Sequence, residues 1–392
     1  MNHTGYFIKK KHLVWVRSTK LDELNATPTL SVTRELRKME WQVTLIAAGQ
    51  AGYRKIQGVE VLYFSRPDIY FLRQLLFYIK VIGWLFQNWK TIDVLLFDVM
   101  GAPWLTPLRF FRVLINQKRP IFVMDTRSVH MTDPSKENIR DRMRRLLYAV
   151  MQRWSNYSVD GRLAITQRMA ELIRIPPKKL WGIWPSGVDP EQFIQAQNVR
   201  RWPSHNDAIN IIYIGYTPYG RNLMSACKAV VQANLQGMKF TFSIYGDGGE
   251  QADLAKFAEQ TSGQISINSP VPHKEVWKML AQAHIGVLPF PDEPKYQVSS
   301  PIKLFEYMAS GLPILATRIF CHTDVVGNGS YAFWADKYDV EGLVDAMRLV
   351  WQSRTILDEL GSQAAIASKA WTWTASARKL KIALEKGLEH YG

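Results

Sequence analysis

Cysteine is nearly absent: Cys227 and Cys321 are the only two in 392 residues. Two thiols exclude a disulfide framework and a Cys-rich metal cluster, and suit a reducing compartment. No Asp-x-Asp pair and no clustered His/Cys ligands occur, so no bound metal is expected. No early segment joins a basic start, an unbroken apolar run and a small-residue cleavage site, so no signal peptide is expected. No fixed-period repeat is found, which argues against a solenoid. With 47% apolar and 21% charged residues, a disordered or collagen-like chain is excluded, and the length allows two or three domains.

Acidic residues are scarce in one half only. Residues 1–200 carry 31 Lys and Arg against 16 Asp and Glu, whereas residues 201–392 carry 18 of each. A chain basic in its first half draws something anionic there: a phosphate-bearing acceptor or an anionic membrane. No nucleic-acid reader motif accompanies this charge, so no nucleic-acid partner is expected.

Short apolar runs alternate with helical patterns. His12–Arg17, Gln42–Ala48, Val59–Phe64, Ile92–Phe97 and Pro120–Met124 read as buried strands in the first half. Ile209–Gly215, Lys239–Tyr245, Ile265–Asn268, Ile285–Pro289, Pro313–Thr317 and Tyr331–Trp334 do so in the second. Helices are expected at Arg221–Gln236, Gln251–Gln260, His273–His284, Pro301–Ser310 and Val340–Ser353, with a terminal one at Thr374–His390. This alternation predicts an α/β fold of two units with parallel sheets, because parallel strands need crossovers that usually contain helices. The join falls near Trp184–Asp207, where Pro and Gly interrupt the periodicity. A domain of residues 1–195, joined by the helix 374–392, and a second of 208–371 are expected. Open parallel sheets bind ligands beyond their carboxyl ends, which directs the search to a cleft between the two sheets.

The most informative string is Ser-Pro-Ile-Lys-Leu-Phe-Glu-Tyr-Met-Ala-Ser-Gly-Leu-Pro, residues 300–313. Ser300 is expected as an N-cap and Pro301 as the first helical residue, with the helix mouth offering free N–H groups to a phosphate. Lys303 adds a full charge in the first turn. Glu306, three residues on, can accept from two adjacent hydroxyls such as those of a ribose.

This string resembles the donor-site signature of retaining glycosyltransferases of the GT-B fold, family 4. Trp184-Pro-Ser-Gly-Val-Asp189, Ile212-Tyr-Ile-Gly215 with Arg221, Tyr245-Gly-Asp-Gly-Gly-Glu250 and Ile285-Gly-Val-Leu-Pro289 resemble further segments of that family in order and spacing. The resemblance implies two Rossmann-like domains and a nucleotide-sugar donor held by the second. Gly215 would let the backbone turn under the diphosphate, Arg221 and Lys303 would meet its charge, and Glu306 would take the pentose. Val271 and Pro272 would lie against the base, and Ser299, Ser300 and the Ile302 and Lys303 amides would serve the sugar. Chemistry of this kind asks for cations on the leaving group and for positioning, and GT-B enzymes usually need no metal for it.

Departures from the pattern are specific. Val298 stands where members often have a second glutamate, and Pro301 where many have glycine. The glycine-rich loop after the first strand is missing, with Asn25–Leu30 in its place. The loop expected after Met124 reads Asp125-Thr-Arg-Ser-Val-His130. Arg127 stands near the usual histidine, so Arg127 and His130 are the candidates for approaching the reacting centre. A sugar-nucleotide epimerase of the same fold, or a catalytically weakened membrane scaffold of a glycan-assembly system, are the rival readings.

The acceptor is read from the basic half. Residues 69–89 are long and apolar, but Arg73 and Lys80 interrupt them, so an in-plane amphipathic helix fits better than a spanning one. Part of that run is expected to pack on its own sheet. Trp104, Arg109, Phe110, Phe111 and Arg112 continue the aromatic and basic mix, and Arg140, Arg142, Arg144, Arg145 and Arg153 form a cationic helix suited to anionic lipid. A peripheral protein at the cytoplasmic face of the membrane is expected, with a lipid-linked or glycolipid acceptor.

Overall fold

The structure, a computed structural model, describes residues 10–21, 23–67, 69–129 and 139–391. The chain divides into two compact units, whose boundary lies between Pro185 and Ser186 and whose second crossing lies between Thr372 and Trp373. The first unit therefore ends ten residues before the sequence-drawn limit of 195, and residues from Ser186 onward group with the second.

The first unit holds an eight-stranded sheet of β1 (His12–Arg17), β2 (Gln42–Ala48), β3 (Gly52–Ile56), β4 (Val59–Phe64), β5 (Val94–Phe97), β6 (Ile121–Thr126), β7 (Gly161–Ala164) and β8 (Leu180–Ile183). Their order is β3-β4-β2-β1-β5-β6-β7-β8, and every pairing is parallel except β3 with β4. Central β1 is apolar on both faces, as a strand covered by helices on each side must be. β6 runs two residues further than expected, so Asp125 and Thr126 belong to the strand rather than to the loop after it. Asn25–Leu30, which stands where the resemblance would put a glycine-rich loop, lies within the helix Glu23–Lys38.

The terminal helix Trp373–Tyr391 packs on β8. Its small residues allow this: a Cβ on Gly387 would meet Trp181 at 2.2 Å, and one on Gly182 would meet Ala383 at 2.6 Å. Lys11 pairs with Glu385 at 2.9 Å, and Thr374 donates to Glu35 at 2.8 Å.

The apolar run 69–89 is the helix Tyr70–Asn88, and it is divided between two environments. Phe77, Tyr78, Val81 and Leu85 are buried in the core, while Leu72, Leu76, Ile79 and Phe86 are exposed. Tyr78 stacks on Trp104 at 5.6 Å. Arg109 and Arg112, expected among the lipid-facing cations, are instead spent on buried Asp160, with contacts of 2.7 Å each. No described helix is long and apolar enough to cross a membrane.

The second unit holds six parallel strands, β9 (Ile209–Ile214), β10 (Phe240–Tyr245), β11 (Ile265–Asn268), β12 (Ile285–Leu288), β13 (Ile314–Thr317) and β14 (Ala332–Ala335). Their order, β11-β10-β9-β12-β13-β14, reverses direction between β9 and β12. Such a switch point parts the two crossover connections and leaves a crevice at the carboxyl ends of those two strands. Gly215 follows β9 and Phe290 follows β12 closely, so both stand at that edge.

Candidate functional site in the second unit

Three loops are locked together at the carboxyl edge of this sheet. Gly215 takes φ +127°, a conformation that favours glycine, and its N–H donates to the Tyr245 carbonyl at 2.8 Å. A Cβ on Gly246 would stand 2.0 Å from the Gly215 oxygen, and one on Gly248 2.3 Å from the Thr217 oxygen. The Gly246–Gly248 turn is thus pressed backbone to backbone against the loop after β9, which fixes that loop.

Arg221 lies just before the helix Leu223–Leu235 rather than inside it. Asn222, at φ 63°, anchors the turn by donating its amide to the carbonyls of Pro289 at 3.0 Å and Tyr338 at 2.5 Å. This holds the Arg221 guanidinium 4.5 Å from the centre of the Phe290 ring and 5.6 Å from that of Tyr296. Tyr296 in turn donates to the Gly220 carbonyl at 2.9 Å.

The signature string forms the helix Ile302–Ala309. Pro301, not Ser300, occupies its N-cap, because the Ser300 hydroxyl accepts instead from the Ser186 N–H at 3.0 Å. The Ser299 hydroxyl donates to the Tyr296 carbonyl at 2.8 Å. Both serine side chains expected at the sugar are therefore engaged in holding the loop. The helix is seated by Tyr307, whose hydroxyl accepts from Ile214 N–H at 3.1 Å and whose ring fills the space over Gly286.

From this helix Lys303 reaches back beneath β9. Its Nζ donates to the Tyr213 hydroxyl at 3.3 Å, lies 4.6 Å from the Tyr213 ring centre and 5.9 Å from that of Phe290. A Cβ on Gly215 would meet that Nζ at 3.0 Å, so glycine is what allows the approach. Burial first, and then the neighbouring Arg221 charge, hold the Lys303 ammonium well below the ordinary lysine range, with Glu306 opposing. Among the described residues neither Arg221 nor Lys303 is in an ion pair. Two adjoining cations faced by aromatic rings, in no ion pair with a described carboxylate, have the chemistry to receive an anion.

Glu306 sits one turn further along, buried to within a tenth of its surface. Its Oε1 lies 2.9 Å from Nε2 of His273. His273 opens a 3-10 turn, His273–Glu275, directly after Pro270-Val271-Pro272. The structure thus brings together Gly215, Arg221, Lys303 and Glu306, and sets the Val271–Pro272 loop beside Glu306 through His273.

Two histidines at this edge escaped the sequence reading. His273 had a usable signal, being the first residue past the loop assigned to the base. His322 had none: it is fully buried, donates from Nδ1 to the Thr317 carbonyl at 2.8 Å and lies 5.4 Å from the Phe290 ring. Burial pushes its pKa down to about 4, so the ring is neutral.

In the first unit, His130 lies outside the described residues. Arg127 stacks 3.6 Å over the Trp184 ring and donates to the Trp184 carbonyl at 3.0 Å. The Trp184 indole N–H donates to Asp125 Oδ1 at 3.0 Å, and the other Asp125 oxygen is buried without a hydrogen bond. Burial raises the Asp125 carboxyl to about 6, against the pull of Arg127 and Arg17.

Residues 208–353 match the family described as glycosyl transferases, group 1. Over that segment the chain is similar to the group 1 glycosyltransferases. The matched segment contains every strand of the second sheet together with Arg221, His273, Lys303 and Glu306. Ninety-two residues are 28% identical to TuaH of Bacillus subtilis (strain 168), which carries the name of a teichuronic acid biosynthesis glycosyltransferase. That match spans 24% of this chain and 23% of TuaH, less than a quarter of the relative's length. In fold, sucrose-phosphate synthase of Thermosynechococcus elongatus superposes with a TM-score of 0.71 over 98% of this chain and 100% of that one, at 11% identity. Anabaena Alr3699/HepE, solved in complex with UDP, does so with a TM-score of 0.66 over 96% and 100%, at 12% identity. The architecture around the matched segment is that of the GT-B fold.

Proposed function

We propose that the protein transfers a sugar, with retention, from a nucleotide sugar to a hydroxyl of a lipid-linked or polysaccharide-precursor acceptor. The carrying observation is the Arg221–Lys303 pair, two cations with no carboxylate partner at the switch point, with Glu306 one helical turn away. When a glycosyl–phosphate bond breaks, negative charge collects on the leaving diphosphate, and fixed cations in a partly dry site stabilise it most. Arg221 offers a planar fork for the phosphate oxygens and Lys303 a point charge beneath them. In this reading the two side chains meet the leaving-group charge without a resident metal. Glu306 takes the pentose hydroxyls and Val271 and Pro272 flank the base. The UDP complex of HepE supports a nucleoside diphosphate as the ligand class, and the name of TuaH supports a glycan precursor as the acceptor.

The helix Ile139–Ser158 supports a membrane-surface acceptor. Ile139, Met143, Leu146, Leu147 and Val150 are exposed at spacings of three and four residues, which makes one apolar stripe. Arg140, Arg142, Arg144, Arg145 and Arg153 are exposed on the same helix. Apolar side chains in the acyl boundary and arginines at the headgroups are how an in-plane helix binds anionic lipid.

The test of the donor reading is a thermal-shift panel of nucleoside diphosphates and nucleotide sugars, because a ligand of the folded state raises its melting temperature. At least one raises it in the wild type, and raises it less at the same concentration in Glu306→Ala. A panel without any response removes the donor reading. Sedimentation with anionic vesicles at low salt tests the surface: binding that falls with salt is expected, and indifference to the vesicles contradicts it.

A further inference from the structure

Glu306 does not meet a ligand as a free carboxylate. Its Oε1 is held at 2.9 Å by His273 Nε2, and its Oε2 makes no hydrogen bond with a described residue. The imidazole is itself presented by a stiff element. Pro270 and Pro272 restrict the backbone before it, Glu275 N–H closes the turn on the Pro272 carbonyl at 2.8 Å, and Val276 is buried immediately after. The two residues come from different strand ends, 33 positions apart, so the contact fixes the helix Ile302–Ala309 relative to the loop after β11.

A carboxylate on a flexible stem has several rotamers, and one that must receive two vicinal hydroxyls gains from being set before the ligand arrives. Pinning one oxygen leaves the other to face the ligand. We infer that His273 is a positioning residue for the donor's pentose, holding Glu306 by Oε1 so that Oε2 is aimed at the 2′ and 3′ hydroxyls. The inference rests on the donor reading above. It assigns to His273 the discrimination between a ribose and a deoxygenated pentose, and not the grip on the phosphates, which belongs to Arg221 and Lys303.

The experiment is calorimetric titration of UDP, GDP and ADP, followed by the 2′,3′-dideoxy form of the tightest binder, into wild type, Glu306→Ala, His273→Ala and His273→Gln. Wild type prefers the ribonucleotide by about tenfold or more, the scale of one good hydrogen bond to a charged group. Glu306→Ala and His273→Ala bring the two ligands within about twofold of each other. His273→Gln restores most of the preference, because a side-chain amide can donate to the same oxygen. His273 is partly exposed, and an unchanged melting temperature of the ligand-free variants shows that the fold persists.

Full ribose preference in His273→Ala overturns the inference while leaving the donor reading intact. Equal loss in His273→Gln and His273→Ala also overturns it, since the hydrogen bond would not be the cause. A wild type that binds none of the three diphosphates overturns the donor reading itself, and the inference falls with it.

Discussion

Lys303 and Tyr213 face each other across the carboxyl edge of the second sheet, the ammonium 3.3 Å from the phenol oxygen and 4.6 Å from the ring centre. A partly buried cation held by an aromatic face, with Arg221 as its charged neighbour, is stabilised less than it is in water. Replacement by Met keeps the volume and removes the charge. Lys303→Met should therefore raise the melting temperature of the ligand-free protein and weaken nucleoside diphosphate binding by about 10- to 100-fold, the range for a hydrogen bond to a charged group. Scanning calorimetry and titration together check it. A variant that melts lower and binds as before would contradict the account.

Glycine at 215 and at 246 should fail differently when changed to alanine. At Gly215 the strain is conformational, with φ +127°, and the new methyl meets the movable end of Lys303. At Gly246 the methyl would stand 2.0 Å from a backbone oxygen that has no room to yield. Gly215→Ala is expected to cost about 1–2 kcal/mol and to displace Lys303, lowering diphosphate affinity. Gly246→Ala is expected to cost more stability than Gly215→Ala. Urea unfolding of the two variants gives the order.

Asp125 carries a pH dependence with a definite sign. Its folded pKa is raised to about 6 from the ordinary 3.8, chiefly by burial. Between those values the native state binds the proton and the unfolded chain does not, so stability from this group falls as pH rises through the window and stays low above it. Asparagine can still accept from the Trp184 indole. Asp125→Asn should be more stable than wild type by about 2–3 kcal/mol at pH 7.5, the energy of a shift of some two pH units, and should lose that advantage near pH 4. Unfolding curves at the two pH values decide it.

Buried histidines act in the opposite sense. His284 and His322 are both pushed down to about 4 by burial. The unfolded chain takes up protons near 6.5 that the native state refuses, so stability is full above that pH and is lost as pH falls toward 4. Each is worth about 3 kcal/mol over the window. The midpoint of denaturant unfolding should drop between pH 7 and 4.5, more steeply in Asp125→Asn, where the compensating carboxyl is gone. A flat profile would mean that these rings are charged in the fold.

Sequence pattern carried the second unit far better than the first. Strands of the second sheet are apolar, separated by amphipathic helices, and each lay within a residue or two of its expected place. β3, Gly-Tyr-Arg-Lys-Ile, was illegible because it is an exposed edge strand with no apolar face. β7, Gly-Arg-Leu-Ala, carries a buried arginine inside its short run, and β8, Leu-Trp-Gly-Ile, is a half-buried edge strand interrupted by glycine. At the site, Arg221, Lys303 and Glu306 were readable from one linear string and its neighbours. His273 and Glu306, 33 residues apart, meet through the packing of two strand ends, and no local pattern encodes that contact. Arg109 and Arg112 misled for the same reason: their partner, Asp160, is about fifty positions away in sequence.

The central claim is that Arg221 and Lys303 form a diphosphate site. Titration of nucleoside, nucleoside monophosphate and nucleoside diphosphate of one base into wild type and into Arg221→Ala tests it most directly. Affinity should climb with each phosphate in wild type, fall with added salt, and lose most of the climb in the variant. A nucleoside that binds as tightly as its diphosphate, or an Arg221→Ala protein indistinguishable from wild type, would contradict it.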